Sequence, residues 1–235
     1  YATVELKKTT SYNYESAYRN HLAPKLGNVK IKDITTPKIT ELMQSFELKP
    51  ITVKKIYVVL QSIFARRVEQ GFIRETPCKH VILPKRRQKR KAALDEEQIR
   101  EFLSLLDTKE WSDDLKTIIK VLLFTGMRSG ECLGLMWNDI DFDNRTINIC
   151  HTLADIGGKH FLTPPKTEGS IRIIGMSEAL RDILLKHKER QVRLVKSLGT
   201  KCAHPEMVFT SSLGNYRDRQ SVYNSFKRFT RGTEF

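Results

Sequence analysis

Arg128 follows an apolar run and a glycine, and Glu131 lies three positions later, in Thr125-Gly126-Met127-Arg128-Ser129-Gly130-Glu131. A guanidinium placed directly after a buried helix and a glycine turn is expected near the interior, where leaving it unpaired is costly. It therefore needs a fixed anion. Glu131 can supply one, which would only lock the turn, and a ligand's phosphate can supply another. The local pattern leaves both open. A second constellation is textual: His187-Lys188-Glu189-Arg190, with Tyr223 further on. It falls within a long, highly charged helical stretch, where His187 is expected to face solvent, so it is set aside.

Other chemistries find less support. The chain has no Walker loop, no Gly-rich dinucleotide fingerprint and no zinc spacing. His151 and His160 flank a loop, with no acidic or thiol partner at ligand spacing. Asp139, Asp141 and Asp143 alternate as calcium-loop ligands do, but the required glycine is missing and Ile140 and Phe142 intervene. They read as turn residues at a strand edge. No metal or cofactor is expected.

The elements that must position these residues follow from patterning. The chain has 235 residues, 40% of them hydrophobic, enough to bury a core and to exclude a wholly disordered basic tail. No apolar run approaches the roughly 20 residues of a membrane helix, and no signal-peptide pattern opens the chain. Cys78, Cys132, Cys150 and Cys202 are too widely spaced for a disulfide framework and suit a reducing cytosol. Residues 1–93 carry 20 Lys and Arg against 7 Asp and Glu, while residues 94–235 are nearly balanced at 21 against 20. Charge concentrated in this way is the footprint of a polyanion, with duplex DNA favoured over anionic lipid because the apolar stripes look like core stripes. A basic face kept only for solubility is the plainer alternative.

The first 75 residues read as helices. Tyr14 to Leu22 recur at helical spacing until Pro24 and Gly27, and Thr36 caps a helix bearing Ile39, Leu42, Met43 and Phe46. A longer helix after Pro50 carries Val53, Ile56, Tyr57, Leu60, Ile63, Phe64 and Val68. Six of the seven residues Lys85 to Lys91 are basic, so the segment is expected to be an extended linker along phosphates, although a nuclear-localisation patch looks the same. Beyond it, Leu94, Asp95 and Gln98 form a capping box with a staple residue, and Leu115 to Phe124 reads as the central buried helix, stopped by Gly126. The pattern then turns to period two at Thr146–Ile149, His160–Leu162 and Ser170–Ile174, before a helix capped by Ser177 and a last helix with Tyr223, Phe226 and Phe229. The expected fold is two domains, an all-α bundle and an α+β domain with a small antiparallel sheet.

Thr125 to Asp141, TGMRSGECLGLMWNDID, resembles the first catalytic-arginine box of the tyrosine recombinases, the family of phage and transposon integrases. Pro165-Lys166-Thr167 followed by Ser170 to Ile174 resembles the hairpin of the family's catalytic lysine. Upstream, His21 to Gly27, Asp33-Ile34-Thr35 and Ala65 to Pro77 resemble its helical, SAM-like core-binding domain, with Thr76 where an Asn is usual. The resemblance implies residues 1–83 as core-binding domain, 84–93 as linker and 94–235 as catalytic domain, gripping opposite faces of a duplex. It implies Arg128 as the first catalytic arginine, Glu131 as the group that orients it, and Lys166 as general acid. DNA contacts are expected from Lys8, Thr9, Lys54, Lys55, Lys85, Arg86, Arg87, Lys89, Arg90, Lys91, Thr167 and Arg172.

The family also needs a His-x-x-Arg box, a His or Trp, and a tyrosine nucleophile. Val208 to Gly214 resembles the part that precedes the true box, so those residues are expected beyond Phe235, and Tyr216 and Tyr223 are expected to be ordinary tyrosines. The chain is accordingly expected to be a monomeric fragment, without an arm-binding domain, that binds DNA but does not cleave it. Its parent would act as a tetramer on recombining DNA in a bacterial cytoplasm, at the nucleoid. A non-enzymatic DNA-binding regulator and a type IB topoisomerase are the alternatives.

Overall fold

The computed structural model describes residues 6–85, 93–165 and 168–235. The chain divides into two compact units, residues 1–92 and 93–235. In the first, α1 (Lys8–Ala17) runs into a π-helical turn (Tyr18–Leu22) and on into α2 (Ala23–Leu26). Pro24 thus does not stop the helical run as the sequence suggested. It sits where the π-helical turn gives way to α2, and the run continues through it. In α3 (Thr36–Gln44) the N-cap position falls to Thr35, which makes no side-chain cap bond, and the Thr36 hydroxyl donates to the Pro77 carbonyl at 2.8 Å.

α4 (Pro50–Glu69) buries Val53, Ile56, Tyr57, Leu60 and Phe64 in one cluster with Leu22, Ile39 and Met43. Each side chain so buried contributes about 1.5–3 kcal/mol. The Tyr57 hydroxyl donates to the Cys78 carbonyl, tying the end of the unit back to α4. The unit is helical throughout its named elements, as its spacing implied.

The second unit opens with α5 (Glu96–Thr108). Asp95 Oδ1 accepts the Gln98 N–H at 2.9 Å and Gln98 Oε1 accepts the Asp95 N–H at 3.0 Å, a reciprocal cap worth about 1 kcal/mol. Leu94, the expected staple, is 41% exposed. α6 (Asp113–Thr125) buries Leu115, Ile118, Ile119 and Val121, but Phe124 is 44% exposed, so its last turn opens to solvent. Gly126 ends it at φ +62°, a conformation that a side chain resists. α7 (Ser129–Leu133) follows at once.

Among the described residues five strands come next: β1 (Ile140–Asp141), β2 (Thr146–Ile149), β3 (Thr152–Ile156), β4 (Lys159–Thr163) and β5 (Arg172–Gly175). β1, β2 and β5 form an antiparallel sheet in that order, while β3 and β4 form a separate hairpin. The hairpin turns on Gly157 and Gly158, both with positive φ, the requirement of a tight two-residue turn. α7 lies close against β3. A Cβ on Gly134 would stand 2.8 Å from the Leu153 nitrogen, and one on Gly130 would stand 3.0 Å from Thr152 Cγ2.

Register decides which side chains look inward. Ile147 pairs with Ile174 and Ile149 with Arg172, while Asn148 pairs with Ile173. Ile147 and Ile149 are fully buried and Ile173 is 71% exposed. Directly paired residues share a face, so Arg172 stands on the inner face of the sheet. α8 (Glu178–Leu198), capped by Ser177, and α9 (Arg219–Phe229) complete the unit. Leu180, Leu184, Val208 and Phe209 join Val121, Ile147 and Ile149 in the main core, and Phe102, Leu106, Ile119 and Phe229 form a second cluster.

Candidate active site

Glu131 is the centre of the arrangement around Arg128. Its side chain is 2% exposed, and α7 holds it at the third helical position. Oε1 accepts Arg128 Nη1 at 2.7 Å. Oε2 accepts the Arg128 backbone N–H at 2.9 Å and Arg172 Nη2 at 2.9 Å. Burial pushes this carboxyl's pKa up, but the bonds from Arg172 and from the Arg128 backbone and side chain outweigh it and bring it to about 2. The carboxylate is therefore ionised at neutral pH and well into the acid range.

Arg128 itself departs from expectation. Its side chain is 73% exposed, not interior; the buried partner is Glu131. A short helix on a glycine turn projects the guanidinium outward, and the carboxylate behind it fixes one edge. The opposite edge remains available to an anion, which suits a planar fork that stays charged at any relevant pH.

Arg172 joins the same carboxylate. Beyond the DNA contact expected of it, Nη2 goes to Glu131 and Nη1 to the Ser170 carbonyl at 3.2 Å, partners that the sequence reading did not assign. The physical reason is the sheet register, which turns its side chain toward α7. One signal in the sequence could have found it: Arg172 lies two residues from Ile174, and alternate residues of a strand share a face.

Lys166, Thr167, Arg86, Arg87, Lys89, Arg90 and Lys91 lie outside the described residues. Lys85 is exposed. Lys8, Lys54 and Lys55 are exposed, Thr9 is half-buried, and Lys54 and Lys55 sit on α4 away from its buried stripe.

His187 is a correction. It is 1% exposed, tilted between the rings of Trp137 and Phe209, and its Nε2 lies 2.7 Å from the Val208 carbonyl. Burial lowers its pKa. Arg190 Nη2 donates to Thr117 at 2.9 Å. Both residues brace α8 against its neighbours, and neither is bonded to the Arg128 cluster. The charged exterior of α8 hid a narrow buried stripe of Leu180, Leu184, His187 and Gln191.

A second correction concerns His151. The fold brings it the acidic and thiol neighbours that its spacing lacked: Cys150 Sγ lies 3.1 Å from His151 Nδ1 and 3.2 Å from Asp139 Oδ1. Burial and the Asp139 carboxylate push the thiol up to about 11, so it keeps its proton and donates it to Asp139. Asp139 Oδ2 already accepts the Met136 N–H at 2.9 Å. These three groups satisfy one another as a corner that ties the Trp137–Asp139 turn to the end of β2. Asp141 takes the Asp143 and Asn144 N–H groups in the turn before β2. Tyr216 stacks on His204 at 3.7 Å, and Tyr223 is 57% exposed on α9.

Two family models match the sequence: the Phage integrase family over residues 92–234, and the Phage integrase, N-terminal SAM-like domain over residues 1–57. The ICEBs1 integrase of Bacillus subtilis is 29% identical over 97% of this chain and 61% of its own length. A tyrosine recombinase XerC-like protein of Caldanaerobacter subterraneus is 26% identical over 94% of this chain and 61% of its own length. The chain thus spans about three-fifths of the length of these curated relatives. Among solved structures, the Tn1549 transposon integrase in complex with transposon right end DNA superposes with a TM-score of 0.77 at 24% identity, covering 98% of this chain and 76% of that one. A lambda integrase tetramer bound to a Holliday junction gives 0.67 at 20% identity, covering 100% and 61%. The fold is shared with both.

Proposed function

This chain belongs to the phage integrase family, and from that membership we propose that it serves site-specific DNA recombination, in a protein that cleaves and rejoins duplex DNA through a 3′-phosphotyrosine. The observation that carries the reading is Arg128, exposed on one edge and fixed on the other by a buried, ionised Glu131. As the tyrosine oxygen bonds to phosphorus and the bond to the departing deoxyribose oxygen breaks, negative charge gathers on the non-bridging oxygens. A preoriented guanidinium stabilises that charge without a metal, and losing one such donor typically costs about 100-fold or more in rate. Lys166 is the proposed general acid, giving its proton to the departing oxygen.

Neither Tyr216, stacked on His204, nor Tyr223, exposed on α9, is the proposed nucleophile. The basic first unit and the 85–91 run are the proposed phosphate contacts. Assembly as a tetramer on recombining DNA, monomeric behaviour of this chain alone, and action on bacterial nucleoid DNA in the cytoplasm belong to the same proposal. Among the described residues no helix is long and apolar enough to cross a membrane.

The test is Arg128→Ala in the whole protein, scored by the detergent-resistant protein–DNA adduct on the DNA ends of the encoding element. The adduct is expected to vanish while most DNA affinity stays. An adduct formed at the wild-type rate would remove Arg128 from the mechanism.

A further inference from the structure

We infer that Arg172 is a positioning residue: it acts through Glu131 to hold the Arg128 guanidinium in its working orientation. The inference rests on the recombinase reading above. Arg128 projects into solvent and is restrained within the protein through Glu131 Oε1. Where Oε1 lies depends on rotation about the last side-chain bond of Glu131, a torsion that is intrinsically broad for a carboxylate. Oε2 sets that rotation, and it has two donors, the Arg128 backbone N–H and Arg172 Nη2.

The backbone donor belongs to the same short turn as Arg128 and moves with it. Arg172 is the donor from elsewhere in the unit, 41 residues along the chain. Its own place is set by the ladder. It pairs with the buried Ile149 at the end of β2, and its second nitrogen holds the Ser170 carbonyl just before β5. The sheet thus fixes Arg172, Arg172 fixes the carboxylate, and the carboxylate fixes the exposed fork. Arg172 also adds a second positive group beside a carboxylate that is otherwise expensive to bury. Without it Glu131 gains freedom to turn and loses part of what keeps it ionised.

The experiment compares Arg172→Ala, Arg172→Lys and Arg128→Ala in the whole protein. Single-turnover adduct formation on the element's own end DNA is followed as a function of pH, with DNA affinity measured in parallel. A misplaced catalytic group costs on the order of 100-fold. Arg172→Ala is expected to slow adduct formation by roughly that factor with DNA affinity unchanged. Its rate is further expected to fall on acidification at pH values where the wild type is flat, because Glu131 has become easier to protonate. Arg172→Lys keeps a charge but not the two-pronged fork. It guards against a fold defect in the alanine variant and is expected to keep the flat profile at an intermediate rate.

Wild-type rate and a flat profile in Arg172→Ala would overturn the inference, as would a loss of DNA affinity matching the loss of rate, which would make Arg172 a direct phosphate contact. An equal fall in rate for alanine and lysine at every pH would also overturn it, as the mark of a merely structural residue. If Arg128→Ala itself forms adduct normally, the recombinase reading fails, an outcome distinct from the others.

Discussion

Replacing Glu131 by Gln removes a charge while nearly preserving shape, and its cost can be worked out from the site. The carboxyl titrates at about 2 in the folded chain against an ordinary value of 4.5. At about 1.4 kcal/mol per pH unit, that difference stabilises the fold by on the order of 3 kcal/mol when Glu131 is ionised. The side chain is 2% exposed, so solvent screening takes little from this figure. The sign follows from the lowered value: the stabilisation is complete above pH 4.5 and is lost as pH falls from there toward 2. Trp111 and Trp137, the only tryptophans, both lie in the second unit, so their fluorescence reports that unit's unfolding alone. In urea at pH 7, Glu131→Gln is expected to lower the midpoint by roughly 1–2 M. The gap between variant and wild type should narrow as pH is brought from 4.5 to 3. Equal midpoints at pH 7, or a gap that does not change with pH, would refute the account of Glu131 as an ionised strut.

Other perturbations test other parts of the structure. Gly134→Ala places a methyl group 2.8 Å from the Leu153 nitrogen and should destabilise the second unit by about 1–3 kcal/mol in the same fluorescence assay. His187→Ala empties a site between two aromatic rings and leaves the Val208 carbonyl without its partner; a loss of roughly 2–4 kcal/mol is expected, and an unchanged midpoint would restore His187 to the surface. Phe64→Ala should cost the first unit about 3–5 kcal/mol by circular dichroism while leaving the tryptophan transition where it was. Lys54→Ala combined with Lys55→Ala should flatten the dependence of log affinity for duplex DNA on log salt by up to about 1.8, and an unaltered slope would take α4 off the phosphates.

The parts of the molecule legible in the sequence are those fixed by short-range pattern. The apolar stripe of α4, the Asp95–Gln98 cap and the glycine after α6 announce themselves within a few residues, because the forces that set them act over a turn or two. Arg128 and Glu131 were legible for the same reason: three residues apart on one turn, they can hardly avoid each other. What escaped is what the fold brings from a distance. Arg172 reaches Glu131 only because β5 pairs with β2 in one register. Cys150 and His151 meet Asp139 only because β2 ends beside the turn that precedes β1. His187 was misjudged because α8 is so highly charged that its one buried stripe, four residues wide in spacing, was outweighed by its exterior. Arg128 was placed too deep because its burial was inferred from the helix before it, whereas the glycine turn swings it out.

The rung that joins Ile149 to Arg172 has a consequence for how such a chain can diversify. Residues 150–171 leave the sheet at one side of that rung and return at the other. Lengthening a loop whose ends are already held costs little, about 0.6 kcal/mol for each doubling. Insertions at the Gly157–Gly158 turn would therefore change what the tip of this segment can touch without shifting the pair that closes it. A lineage can lengthen the tip of the hairpin while the strut behind the exposed arginine stays in place, because the rung that holds Arg172 closes the excursion without depending on how far it reaches.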